Sequence, residues 1–160
     1  MLEFPERVYT EDEHKLAKKL IDEGHKHELS AIGSQSFTEK VNEALELAKT
    51  AGCYEFLRTY LREIKEIDGL TQLRETEVAI WANKFAVENA VDFASLLVQK
   101  ANHMKEYLDG DLYYGGASEK RNVEKRIEFL ELLKNKTSSA EVKEECERLL
   151  EMWRTNALAF

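Results

Sequence analysis

From Gln72 to Leu108 the chain contains no glycine and no proline, and no other feature restricts its folding as much. Those two residues are the usual punctuation of a helix. The apolar members Val78, Ala79, Ile80, Trp81, Ala82, Phe85, Ala86, Val87, Ala90, Val91, Phe93, Ala94, Leu96, Leu97 and Val98 fall on most sides of a helical projection. A helix of that kind belongs in the middle of a bundle. The expectation is one helix over about 72–108, roughly 55 Å long at 1.5 Å per residue, with any kink near Asn89 or Asn102.

Shorter amphipathic segments surround it. Thr10 followed by Glu13 forms a capping box, in which each side chain closes a free backbone N–H at a helix start. Leu16, Ala17, Leu20 and Ile21 then recur at helical spacing. Ser36 with Glu39, and Ser138 with Glu141, repeat the same signal. Phe56, Leu57, Tyr60, Leu61, Ile64 and Ile67 make another stripe, closed by Asp68-Gly69. Gly52 either ends or bends the helix before it. The fold expected is therefore all-α, a single domain over 1–160. After an extended arm at 1–9, helices lie at about 11–29, 37–51, 53–67, 72–108, 118–135 and 139–156, five or six elements around the long central one.

At 160 residues with 43% hydrophobic content, the chain is large enough for one real core. A net charge of −8 repels phosphate backbones, so a general nucleic-acid coat is disfavoured. The amino end is acidic and carries no basic-then-apolar targeting pattern. Lys84, Glu88 and Asp92 interrupt the longest apolar stretch, at a cost that argues against a membrane span. Cys53 and Cys146 stand far apart with no second cysteine nearby, which excludes a CxxC pair or zinc knuckle. A reducing, cytoplasmic setting is the default.

The candidate chemistry starts with three charges on the apolar segment. On a helix Lys84, Glu88 and Asp92 would wind about 40° per step along one side, continuing to Gln99 and His103. Carboxylates one turn apart suit magnesium, which takes oxygen ligands and keeps waters for a bound polyphosphate. Glu43-Ala44-Leu45-Glu46 resembles the ExxE motif with which all-α nucleoside triphosphate pyrophosphatases of the MazG type bind magnesium. Their second motif is ExxD, whereas here Glu88 and Asp92 are separated by three residues, so the resemblance stops at the first motif. It implies a site in which Glu43, Glu46, Glu88 and Asp92 hold magnesium and Lys84 meets phosphate.

Ser118, Lys120, Arg121, Lys125 and Arg126 form a second candidate, an anion site. Positive charge near a helix amino end opposes the macrodipole, and such a local conflict marks positions shaped by function. Tyr113 and Tyr114 precede it as stacking surfaces. Among the histidines, His25 and His27 would lie about 200° apart on a helix, too far for one metal ion. Cys146 reads as an inward core residue, and neither cysteine has a nearby base. With no catalytic motif complete, the leading expectation is an interaction or scaffold protein without a cofactor. It would be a subunit of a homo- or hetero-oligomeric assembly, binding protein rather than nucleic acid or membrane. The alternative is the magnesium-dependent nucleotide pyrophosphohydrolase.

Overall fold

The structure is a computed structural model that describes residues 2–110 and 116–157. The reading placed on Tyr113 and Tyr114 lies outside those residues. Two short segments overturn the all-α expectation. Glu63-Ile64-Lys65-Glu66 and Ala79-Ile80-Trp81-Ala82 are strands, named β2 (Glu63–Glu66) and β4 (Ala79–Ala82). They pair in parallel with Ile64 opposite Ile80, and both isoleucines are fully buried. Alternation is the cause, because Ile64 and Ile80 point to the core while Glu63, Lys65 and Trp81 point away, the period-2 signature of a strand.

β1 (Ser30–Ile32) adds in parallel to β2, and β3 (Gln72–Arg74) adds antiparallel to β4. The sheet order is β1-β2-β4-β3. The helix expected over 72–108 is thus divided. Its first part is β3, one 3-10 turn at Glu75–Glu77, β4 and a loop, and only α4 (Ala90–Asp109) is helical. The break needs no glycine because Val78 itself takes the left-handed conformation, with φ 56°. That is a strained state for a β-branched residue. Its N–H bonds to Glu75 O at 3.1 Å, its carbonyl accepts from Arg62 N at 2.8 Å, and its side chain is buried. Asn89 then caps α4, its side chain accepting from Asp92 N at 3.0 Å.

The remaining helices are α1 (Glu11–Asp22), α2 (Gln35–Ala51), α3 (Tyr54–Tyr60), α5 (Gly116–Lys136) and α6 (Ala140–Ala157). Thr10 and Glu13 form the capping box of α1. The caps of α2 and α6 are displaced from the sequence expectation: Ser34 rather than Ser36 accepts from Phe37 N, and Ser139 rather than Ser138 accepts from Val142 N. Gly52 ends α2 in the left-handed conformation, φ 81°. Leu61 turns extended immediately after α3, so the stripe expected to continue to Ile67 becomes β2 instead.

The core lies between one face of the sheet and the helices. Phe37, Val41, Leu45 and Ala48 of α2 and Phe93, Leu97 and Met104 of α4 bury against Ile64, Leu73, Ile80 and Ala82. α4 also packs against α3 and α5, and α5 against α6. Phe129, Leu130, Leu133, Cys146, Leu149 and Leu150 complete the interior. Among the described residues no helix is long and apolar enough to cross a membrane.

Candidate functional site

Two polar or open regions stand out from this core. The first is the contact of α4 with α5. Asp92, Ser95, Gln99, Asn102, His103 and Glu106 recur at intervals of three and four along α4, so they share the face turned to α5. Opposite them are Ser118, Arg121, Asn122 and Arg126. Arg126, only 6% exposed, donates to Asp92 Oδ1 at 2.7 Å, Ser95 Oγ at 3.1 Å and Gln99 Oε1 at 3.1 Å. Its guanidinium lies 4.3 Å from the Trp153 ring centre. Further along, Asn122 Nδ2 meets His103 Nε2 at 2.5 Å. Arg121 donates twice to Glu106 Oε2, and Asn102 donates to Glu106 Oε1.

The structure therefore unites part of two candidates that the sequence separates. Asp92, Gln99 and His103 do lie on one side of a helix, and they face Ser118, Arg121 and Arg126. What they make is a ladder of mutual bonds. Burial is the leading reason that the Arg126 and His103 pKa values fall, opposed at Arg126 by Asp92 and at His103 by Glu106. A groove of about 610 Å³ beside the ladder is lined by Lys105, Arg121 and Lys125 but equally by Glu106, Glu124 and Glu128, with Asn102. Arg121 pairs with Glu106 and Lys125 with Glu128, so the groove has no net positive field. Ser118 is buried and accepts from Asn122, and Lys120 is exposed on the outer side.

The carboxylate candidates are dispersed. Lys84 and Glu88 sit exposed on the loop after β4, off any helix. Asp92 is paired with Arg126, while Glu43 and Glu46 are exposed on α2, Glu46 bound to Lys49. Among the described residues no three His, Cys, Asp or Glu side chains converge as a metal site. Burial raises the Cys53 thiol pKa and pushes that of Cys146 up to about 11, which holds both as thiols at neutral pH.

The second region was invisible without the sheet. Its core face is covered, but the opposite face carries Ser30, Ile32, Glu63, Lys65, Gln72, Arg74, Ala79 and Trp81, and of these only Ala79 is buried. Register places Ile32, Lys65, Trp81 and Gln72 in one row across the four strands. Trp81 lies flanked by cations, with Arg74 at 4.4 Å and Lys65 at 5.8 Å from its ring centre. A groove of about 480 Å³ crosses this face, lined by Glu6, Arg62, Glu63, Lys65, Glu77, Ala79 and Trp81.

At the carboxyl ends of the parallel strands, where open α/β sheets commonly hold ligands, the available positive pole is already taken. Glu66 Oε1 accepts from Ser34 N at 2.9 Å, at the amino end of α2. Gly33 permits this approach, since a Cβ there would stand 2.7 Å from the Glu66 Cβ. The loops leaving β2 and β4 are tied by Asn83, whose Nδ2 donates to Gly69 O at 2.9 Å. These loops expose Leu70 (84%) and Phe85 (67%), and Ile32 (45%) ends β1 at the same end of the sheet. The described residues include six exposed large hydrophobics, so half of them gather here. Compared with known proteins, the chain matches no family model, no curated protein and no solved structure.

Proposed function

We propose that this chain is an interaction protein, a subunit of a cytoplasmic homo- or hetero-oligomeric assembly, and that it docks through the open sheet face. The observation that carries the reading is the row Ile32-Lys65-Trp81-Gln72, exposed at Ile32 and Lys65 and half-buried at Trp81 and Gln72, with Leu70 and Phe85 exposed on the loops at the same end of the sheet. Parallel strands are normally covered on both faces, and contiguous exposed apolar surface marks interaction sites. Tryptophan and arginine, here stacked together, are the side chains most enriched at interface hot spots. The ladder between α4 and α5 supports the same reading from the other side, because most of its polar groups bond one another, Asn122 Oδ1 being the buried exception.

The test is light scattering after size-exclusion chromatography across a wide concentration range, on wild type and Trp81→Glu, together with photo-crosslinking from position 81 in its native lysate. An exposed position on α6, Lys143, serves as the control. A mass above 18.5 kDa that Trp81→Glu abolishes, or a discrete crosslinked species from position 81 and none from 143, is expected. A monomer at every concentration with equal crosslinking at both positions overturns the proposal. Magnesium-dependent pyrophosphate release lost in Glu88→Ala would replace it with hydrolase chemistry.

A further inference from the structure

We propose that His25 and His27 form a pH-sensitive latch on the N-terminal arm, closed while both imidazoles are neutral and released when His27 gains a proton. This inference stands apart from the docking reading of the sheet face. It begins with a local departure from expectation: α1 stops at Asp22, Gly24 takes a left-handed φ of 96°, and residues 25–29 run without helix. The 200° separation that a helix would impose is lost. The two imidazoles instead meet edge to face with ring centres 4.8 Å apart.

Phe4 of the arm closes over both. It stacks on His25 at 5.0 Å and meets His27 edge-on at 4.5 Å. The Nε2 atoms of both histidines are buried with no hydrogen-bond partner, and His27 as a whole is only 4% exposed. A neutral imidazole tolerates one unpaired nitrogen at modest cost, but an imidazolium would bury a bare charged donor.

The charges around the pair make that worse. From α3, Arg58 donates to His27 O at 2.9 Å and pairs with Glu55. At the start of β2, Arg62 donates to Pro5 O and Glu6 O of the arm and to Glu77 O. On the same loop Lys26 bonds Thr59 Oγ1, and Glu28 is exposed. Glu6 of the arm and Glu63 of β2 act on Arg62. Those acting on the rings are cations: Arg62 and Lys26 on His25, and His25, Arg62 and Arg58 on His27.

Burial first, then these cations, lowers the His27 pKa from 6.5 to about 3. A lowered histidine favours the closed arm fully above the free value of 6.5 and ever less below it, until the closed form itself protonates near pH 3. Between pH 7.5 and 5.0 the opening constant should rise about 30-fold, about twofold of it above pH 6.5 and about 16-fold below. Opening would detach Phe4 and break the bonds of Val8 N to Thr76 O at 2.8 Å and of Tyr107 Oη to Val8 O at 2.7 Å. It would also remove Glu6 from the groove on the open sheet face.

The experiment is amide hydrogen exchange on the full chain at pH 7.5 and 5.0, corrected for intrinsic rates, comparing Val8 in the arm with Leu97 in the core. Protection at Val8 should fall about 30-fold while that at Leu97 holds. In His27→Phe, which keeps an aromatic contact and cannot titrate at position 27, Val8 protection should fall far less, by only what His25 still contributes. Unchanged Val8 protection in wild type, an equal loss at Leu97, or the same loss in His27→Phe overturns the latch. Ring NMR of the wild type decides the point even if that variant does not fold. A His27 ring that titrates near 6.5 with Val8 still protected refutes it, and one that stays neutral until the arm opens supports it.

Discussion

The Asp92–Arg126 pair allows a prediction that separates the two partners by their burial. The Arg126 side chain is 7% exposed and that of Asp92 38%. Asp92→Asn keeps the shape of the side chain but leaves a guanidinium buried without its counter-charge. Removing one partner of a buried pair costs about 3–5 kcal/mol. Partial access of water at Asp92 lowers that toward about 3, and loss of a carboxylate in the first turn of α4 adds about 0.5. Arg126→Met has the opposite character. It retains an unbranched stem against Trp153, and the Asp92 carboxylate left behind can turn to solvent. Ser95 Oγ also keeps a partner, since it donates to Asp92 O at 2.7 Å. That change should cost about 1–2 kcal/mol.

Urea unfolding followed by far-UV circular dichroism and by the combined fluorescence of Trp81 and Trp153 measures both. The expected order is Asp92→Asn worse than Arg126→Met by at least 1 kcal/mol, with the double variant close to Arg126→Met alone. Such non-additivity would reflect relief of the stranded cation. If Arg126→Met is the more damaging, or the two effects simply add, the argument from unequal burial is wrong.

Other consequences follow from single contacts. Gly33→Ala places a Cβ 2.7 Å from Glu66 Cβ and 2.9 Å from Phe37 Cδ1, and should lower stability by about 1–3 kcal/mol in the same assay. Ile80→Ala empties a fully buried position between the sheet and the helices, at a cost of about 2–5 kcal/mol; a loss under 1 would show that the sheet does not hold this side chain. Gly52→Ala forces a left-handed φ of 81° on alanine and should cost about 1 kcal/mol in thermal unfolding. A thiol reagent at pH 7.5 should leave Cys146 unmodified until the chain unfolds, because burial pushes its pKa up to about 11; fast labelling of the native protein would contradict that.

Part of the placement of the candidate residues was legible in the sequence because it lies on a continuous helix. The interval from Asp92 to Gln99 and His103 follows from 3.6 residues per turn, whatever packs against it. The basic side chains near the start of α5 that the sequence offers as an anion site include Arg121 and Arg126, and both reach across to carboxylates of α4. What the residues do there depends on the carboxylates they meet. Lys84 and Glu88 failed to join the stripe for one reason, the change from strand to loop before Asn89. Trp81 was counted among helix-core residues, because an aromatic residue in a short apolar run fits either period.

The chain on its own determined the amphipathic stripes of α1, α2, α5 and α6, the Thr10 capping box and the inward place of Cys146, whereas it left open whether Gly52 ends or bends α2. Each feature so determined depends on neighbours within about one turn. The tertiary structure alone decided that Glu63–Glu66 and Ala79–Ala82 are strands. Their backbone bonds go to partners about sixteen residues away, and pairing overrides local propensity in such short segments. It also decided which surface stays uncovered, because the open side of a sheet exists only once its strands have been brought together.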